Sequence, residues 1–154
     1  MNGIVKIHNK EYKTVALRVN EFLESARHKE WSIETDLISD GNLVVMKSII
    51  KDESGRIRGT GYAEELRGST NINKTSALEN CETSAIGRAL SAVGFGGTEY
   101  ASANEVTDAI LQQTALKASE ELINYNAAVR EHIASISAIK NALADADLET
   151  AAEE

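Results

Sequence analysis

Proline is absent from this 154-residue chain, and cysteine occurs once. Without proline, the punctuation between elements has to come from glycine and Asn/Asp clusters. A single cysteine, Cys81, excludes an internal disulfide and agrees with a reducing compartment. It falls on the apolar side of a predicted helix, where a thiol behaves as a small core residue. No run approaches 18 consecutive apolar residues, and the start, Met1 to Lys10, lacks the basic-then-apolar layout of a signal peptide. The expectation is a cytoplasmic protein with no membrane contact. Histidine is scarce too: His8, His28 and His132 lie in separate segments, so neither a zinc site nor a Cys/His pair has local support. No GxxxxGK[ST] occurs, which removes P-loop ATP chemistry. Gly94-Phe95-Gly96-Gly97 follows a helix instead of opening one, so it is not a phosphate loop. The inventory points to a non-enzymatic protein without cofactors.

What is present is an ordinary globular composition, 42% hydrophobic and 26% charged, with a net charge of −8. The charge is unevenly spread. Residues 1–100 carry 13 Lys and Arg against 14 Asp and Glu, whereas residues 101–154 carry 3 against 10. The acidity therefore belongs to the tail, and a near-neutral body remains free to hold a basic stripe. Two domains follow from this division, a core over 1–100 and an acidic helical region over 101–154.

Ile4 to Ile7, the turn His8-Asn9-Lys10 and Glu11-Tyr12-Lys13 read as a small hairpin. Thr14 then caps a helix from Val15 to about Ala26, with Val15, Val19, Phe22, Leu23 and Ala26 as its apolar stripe. From Trp31 to Glu65 the period becomes two. The clusters Ser39-Asp40-Gly41-Asn42 and Asp52-Glu53-Ser54-Gly55 divide this stretch into a three-stranded meander. If both loops hold four residues, Ile38 pairs with Leu43, Lys51 pairs with Arg56, and Glu34 falls opposite Lys47. One face then carries Trp31, Ile33, Leu37, Val44, Met46, Ile50, Ile57, Gly59 and Gly61. The other is charged and partly apolar. A polar loop over 66–75 leads to Ser76 and Glu79, a capping box for a helix bearing Leu78, Cys81, Ala85, Ile86, Ala89, Leu90 and Val93. Gly94 suits the left-handed position that ends it. Gly59, Gly61 and Gly87 carry the cost of glycine inside regular structure, which close approach of the helix to a strand would explain. Ser102 with Glu105 opens a further helix, and Leu122, Val129, Ile133, Ile136, Ile139 and Leu143 continue at loosely helical spacing as one or two amphipathic helices. The fold class is α+β: a helix, a three-stranded antiparallel meander, a long packed helix, then C-terminal helices.

The chemistry rests on a stripe of Lys47, Lys51, Arg56 and Arg58 beside Tyr62, joined across the loop by Arg67 and Lys74. Cations spaced along a backbone, next to a flat ring for bases, are what binding a single strand requires. Glu34, Asp36 and Glu64 offer a competing metal-dependent nuclease reading, for which cross-strand charge pairing is the more economical account.

The segment Gly59-Thr60-Gly61-Tyr62-Ala63, followed by Lys74 through Gly94 with its Arg88-Ala89-Leu90 and Gly94, resembles the phage single-strand annealing proteins of the Erf and Sak type. More distantly it resembles the eukaryotic Rad-type annealing protein that assists the RecA-like recombinase. The resemblance covers residues 14–97 and implies an oligomeric ring or arc that anneals single-stranded DNA without ATP, with Arg88 as a phosphate contact. A phage exonuclease or a host single-strand-binding protein is the implied partner. Gly87 and Ser91 stand where the distant relatives place further basic residues. An alternative of another class is an oligomeric protein-binding module, such as a phage inhibitor of a host defence or recombination protein, which the net charge of −8 favours.

Overall fold

In the computed structural model residues 3–152 are described, with side chains for residues 3–143. Strands β1 (Ile4–Ile7) and β2 (Lys10–Lys13) form the small hairpin, paired Ile4 to Lys13, and its turn residues His8 and Asn9 take φ of +46° and +65°. Helix α1 (Val15–Glu24) starts at Thr14, whose Oγ1 accepts from the Leu17 amide at 3.2 Å. It stops two residues earlier than expected. A 3-10 turn, Ala26–His28, takes over. Leu23 is 69% exposed, and the buried face is built from Val15, Phe22 and, unexpectedly, Arg18.

The meander is β3 (Ser32–Asp40), β4 (Leu43–Lys51) and β5 (Ile57–Leu66), antiparallel in that order, so β3 and β5 are the edges. Both registers differ from expectation. The first loop is only Gly41-Asn42, which pairs Asp40 with Val44, and a bulge near Ile38 brings Leu37 opposite Met46. Glu34 consequently faces Ile49 instead of Lys47, and Asp36 is the residue across from Lys47. In the second hairpin Ile50 pairs with Gly59, because Asp52 Oδ1 gathers the Ser54 and Arg56 amides and Gly55 takes φ of +77°. A two-residue slip keeps every side chain on its face. The apolar face therefore survives, except that Leu37, beside the bulge, and Ile57, the first residue of its strand, are 48% and 52% exposed.

Helix α2 (Ala77–Leu90) lies on that face. Its capping box does not form: Ser76 sits at φ −136° and its side chain makes no cap bond. Val44, Met46, Ala77, Cys81 and Ala85 make one core cluster, and Phe22, Ile50, Ala89 and Leu90 make a second beneath α1. The Cys81 thiol donates to the Val44 and Ala63 carbonyls, and burial pushes its pKa up, as a core thiol requires. A Cβ at Gly61 would fall 2.3 Å from the Ala85 carbonyl oxygen and 2.4 Å from the Ala89 nitrogen. Only glycine lets the helix backbone lie so near the strand. A wide turn, Ser91–Phe95, ends α2, with Gly94 left-handed at φ +102°.

Helix α3 (Ala103–Ala152) is continuous where one or two helices were expected. Its capping box forms in full: the Ser102 amide donates to Glu105 Oε2 at 2.8 Å, and the Glu105 amide donates to Ser102 Oγ at 3.2 Å. The chain divides into two compact units, one through Gln112 and one from Gln113. No helix among the described residues is long and apolar enough to cross a membrane.

Candidate nucleic-acid interface

Strand register sets Lys47 directly opposite Tyr62 on the outer face of the sheet. The Lys47 ammonium lies 5.6 Å from the centroid of a ring that is 56% exposed, a cation–π arrangement. Ile49, flanked by Lys47 and Lys51 on its own strand and by Glu34 and Thr60 across, is only 7% exposed, so this face holds a covered apolar residue among its charges. At the Lys51 end of the sheet, Lys51 pairs with Glu34 at 2.6 Å. Arg58 approaches Asp52 at 3.8 Å and stacks 5.5 Å from the Trp31 ring. Bonds from the Ser54 hydroxyl and amide and the Arg56 amide hold Asp52 below the usual carboxylate range, so this partner stays charged. At the other end, Arg67 binds Asp40 and donates from Nε to the Gly41 carbonyl at 3.1 Å. Lys74 reaches Asn71 Oδ1 at 3.2 Å.

The seven cations picked out from sequence thus fall into two groups. Lys51, Arg58, Arg67 and Arg88 each face a carboxylate. Lys47, Arg56 and Lys74 have none within ion-pair distance among the described residues. The stripe is also divided in space. Lys51, Arg56 and Arg58 sit at one end of β4 and Arg67 and Lys74 at the other, with Lys47 between; eight strand steps separate the ends by about 26 Å.

Arg88 is the cation most altered by its surroundings. Its Nε binds Glu105 Oε1 at 2.9 Å, while the other oxygen of the same carboxylate caps α3. Around the pair is an open cavity of about 440 Å³, lined by Tyr62, Glu64, Glu65, Arg88, Glu105 and Asp108. Four carboxylates against one guanidinium make it unsuited to phosphate. Burial raises the pKa of both Glu65 and Asp108, and Glu65 accepts from Asn73 Nδ2 at 2.5 Å. Among the described residues no group of three or more His, Cys, Asp or Glu is disposed to hold a metal ion.

Two groups that shape this region carried no functional cue in the sequence. Arg18 is fully buried, and its guanidinium donates to the carbonyls of Gly87 at 2.9 Å, Tyr100 at 3.0 Å and Ala101 at 2.7 Å, and to the Ser91 hydroxyl. It closes the end of α2 and fixes the segment leading to Glu105. Its place three residues after Val15 and four before Phe22 is the signal that sets it on the buried side. Glu105 was legible as a cap but not as the partner of Arg88, because that contact joins residues 17 apart through an irregular segment.

The fold is thus an α+β module in which a three-stranded antiparallel sheet carries α1 and α2 on one face and presents Lys47 and the exposed Tyr62 on the other. Residues 24–93, a little under half of the chain, match a family model described as Slr1353 N-terminal dsRNA-binding domain-like. No curated protein and no solved structure matches the chain. The match overturns the expected kinship with the Erf and Sak annealing proteins, and with it the description of a phage single-stranded DNA recombinase. The site gives physical grounds for the correction. A single-strand binder stacks successive bases on aromatic rings, whereas among the described residues this outer face offers Tyr62 alone, and the arginine expected to hold phosphate is held by Glu105.

Proposed function

We propose that the unit through Gln112 is a non-catalytic nucleic-acid-binding module that takes double-stranded RNA, contacting its sugar-phosphate backbone through the open face and ends of the meander. The observation that carries this reading is the match over residues 24–93, which spans the whole meander and α2 and whose description names double-stranded RNA. The distribution of cations supports it. An A-form duplex is recognised by shape and by phosphate and 2′-hydroxyl contacts to separate stretches of backbone, so it is served by basic groups held apart. Arg56 and Lys74, at opposite ends of the sheet, and Lys47 between them have no carboxylate within ion-pair distance among the described residues, which leaves them for that task.

Fluorescence anisotropy with a labelled RNA duplex at low salt tests the reading, with oligothymidine as comparison. The duplex should bind more tightly, and Arg56→Glu with Lys74→Glu should abolish binding while leaving the Trp31 fluorescence of the fold unchanged. Absence of binding to the duplex at low salt refutes it. A second reading, a protein-binding module, draws support from the four cations already facing carboxylates and from the net charge of −8. On that reading the double charge reversal leaves the module's partner contacts intact and RNA has no affinity to lose.

A further inference from the structure

From Gln113 to Leu143 every side chain of α3 is exposed. An isolated helix in water is marginal unless a partner covers an apolar face, and the sequence supplies such a face with a regular period. Ala115, Ala118, Leu122, Tyr125, Val129, His132, Ile136, Ile139 and Leu143 follow one another at alternating steps of three and four. This is the a/d pattern of a heptad, with Ala115, Leu122, Val129, Ile136 and Leu143 at a, and Ala118, Tyr125, His132 and Ile139 at d. Four heptads are enough to define a 3.5-residue period, which runs a seam straight along a supercoiled pair, while a 3.6 period would serve a globular core. Ile133, at an e position, widens the seam.

We infer that α3 from Ala115 to Leu143 pairs with the same segment of a second copy of this chain, forming a two-stranded coiled coil. Three observations select that occupant. The heptad is self-complementary, since each a or d knob finds the same set of holes on an identical helix. Charge permits the pairing: Lys117, Arg130 and Lys140 are balanced by Glu120, Glu121 and Glu131, so two copies bring no net repulsion together. Five of the eight net negative charges, Asp145, Asp147, Glu149, Glu153 and Glu154, lie after Leu143, outside the seam. Area is sufficient as well. Leu122, Tyr125, Val129, Ile136, Ile139 and Leu143 are 37–66% exposed. At roughly 60–120 Å² for each large apolar side chain taken from water, twelve of them in a pair remove about 700–1,400 Å². That range reaches the total of about 1,200 Å² at which stable interfaces begin. The pairing is independent of the RNA reading, and for that module it would supply two binding units on one assembly.

Sedimentation equilibrium of the full chain without nucleic acid tests the inference. The expected mass is twice 16.6 kDa at tens of micromolar. Ile136→Glu puts two carboxylates into one a layer and should weaken the dimer at least 100-fold, giving single chains whose Trp31 fluorescence matches that of the parent. His132→Leu replaces a polar d residue by the one coiled coils favour, and should tighten the dimer about tenfold or more. A merely solvated helix would respond to neither change. A single-chain mass for the parent, a larger closed assembly, or an Ile136→Glu chain that remains paired overturns the proposal.

Discussion

Replacing Arg18 by alanine should be among the most damaging single changes in the unit through Gln112. The side chain is fully buried, and its guanidinium has no carboxylate within ion-pair distance among the described residues. Its charge is held by dipoles: the carbonyls of Gly87, Tyr100 and Ala101 and the Ser91 hydroxyl, with the carbonyls of Gly96 and Glu99 further off at 3.4 Å. Burial pushes its pKa down, yet an arginine stays charged. Hydrogen bonds from a charged donor contribute about 1.5–3 kcal/mol each, and the two terminal nitrogens share four protons among these acceptors, so four bonds amount to roughly 6–12 kcal/mol before the cost of burial. Desolvating the ion costs several kcal/mol, which leaves a net loss of about 3–5 kcal/mol when the group is removed and its acceptors stay buried. With a urea dependence near 2 kcal/mol per molar, the midpoint should fall by about 2 M. Trp31, the sole tryptophan, stacks edge-on 4.4 Å from His28 in the cluster beneath α1 and provides the fluorescence readout. Arg18→Lys, with three donors in place of a fork, should lose a smaller part. A shift below about 0.5 M for Arg18→Ala would show that water replaces the guanidinium without difficulty, and would refute the reasoning.

Gly61→Ala should lower stability by about 3 kcal/mol or more, because its Cβ meets helix backbone and not a movable side chain; thermal unfolding followed by circular dichroism measures this. Asp108→Asn should stabilise the protein at pH 7. Burial raises the carboxyl pKa in the folded state, so folding strength falls as pH climbs through the unfolded value of 3.8 and on through the raised one. Below 3.8 both states hold the proton, and urea midpoints of parent and variant should converge there; an unchanged difference across that range would contradict the burial argument. His28, stacked with Phe22, Phe95 and Trp31, has the opposite sign: burial depresses its pKa, so its contribution is present above 6.5 and is lost as pH falls through the depressed value. His28→Phe should flatten the stability profile below pH 6.5, as read by the Trp31 signal.

The meander was legible because its alternation is strict and its turn residues are specific, and an error of two residues in both registers left the faces unchanged. Pairing partners were not legible: whether Glu34 meets Lys47 or Lys51 depends on a bulge at Ile38 that alternation does not encode. The glycines of β5 gave a correct warning of close approach, because glycine in a strand signals either a ligand or another backbone. Arg18 was missed for a general reason. A stripe is read from apolar residues, and a buried cation satisfied by carbonyls leaves no mark in it. The basic stripe was visible as composition, but its electrostatic value was not, since Glu105, Asp52 and Asp40 reach their partners through loops and caps. The family resemblance failed on the same ground. An Arg-Ala-Leu motif at a helix end describes packing under a turn as readily as a phosphate contact.

The salt dependence of RNA binding tests the central claim most directly. With Lys47, Arg56 and Lys74 as the cations of the stripe that have no carboxylate within ion-pair distance among the described residues, about three phosphates are neutralised, and log affinity against log salt should fall with a slope near −3. An anisotropy titration of a duplex of about 16 base pairs, the span of a duplex-binding module, repeated between about 50 and 200 mM salt, yields that slope. The account predicts measurable binding at the low end that weakens along this line. No binding at about 50 mM salt, or an affinity indifferent to salt, would contradict it.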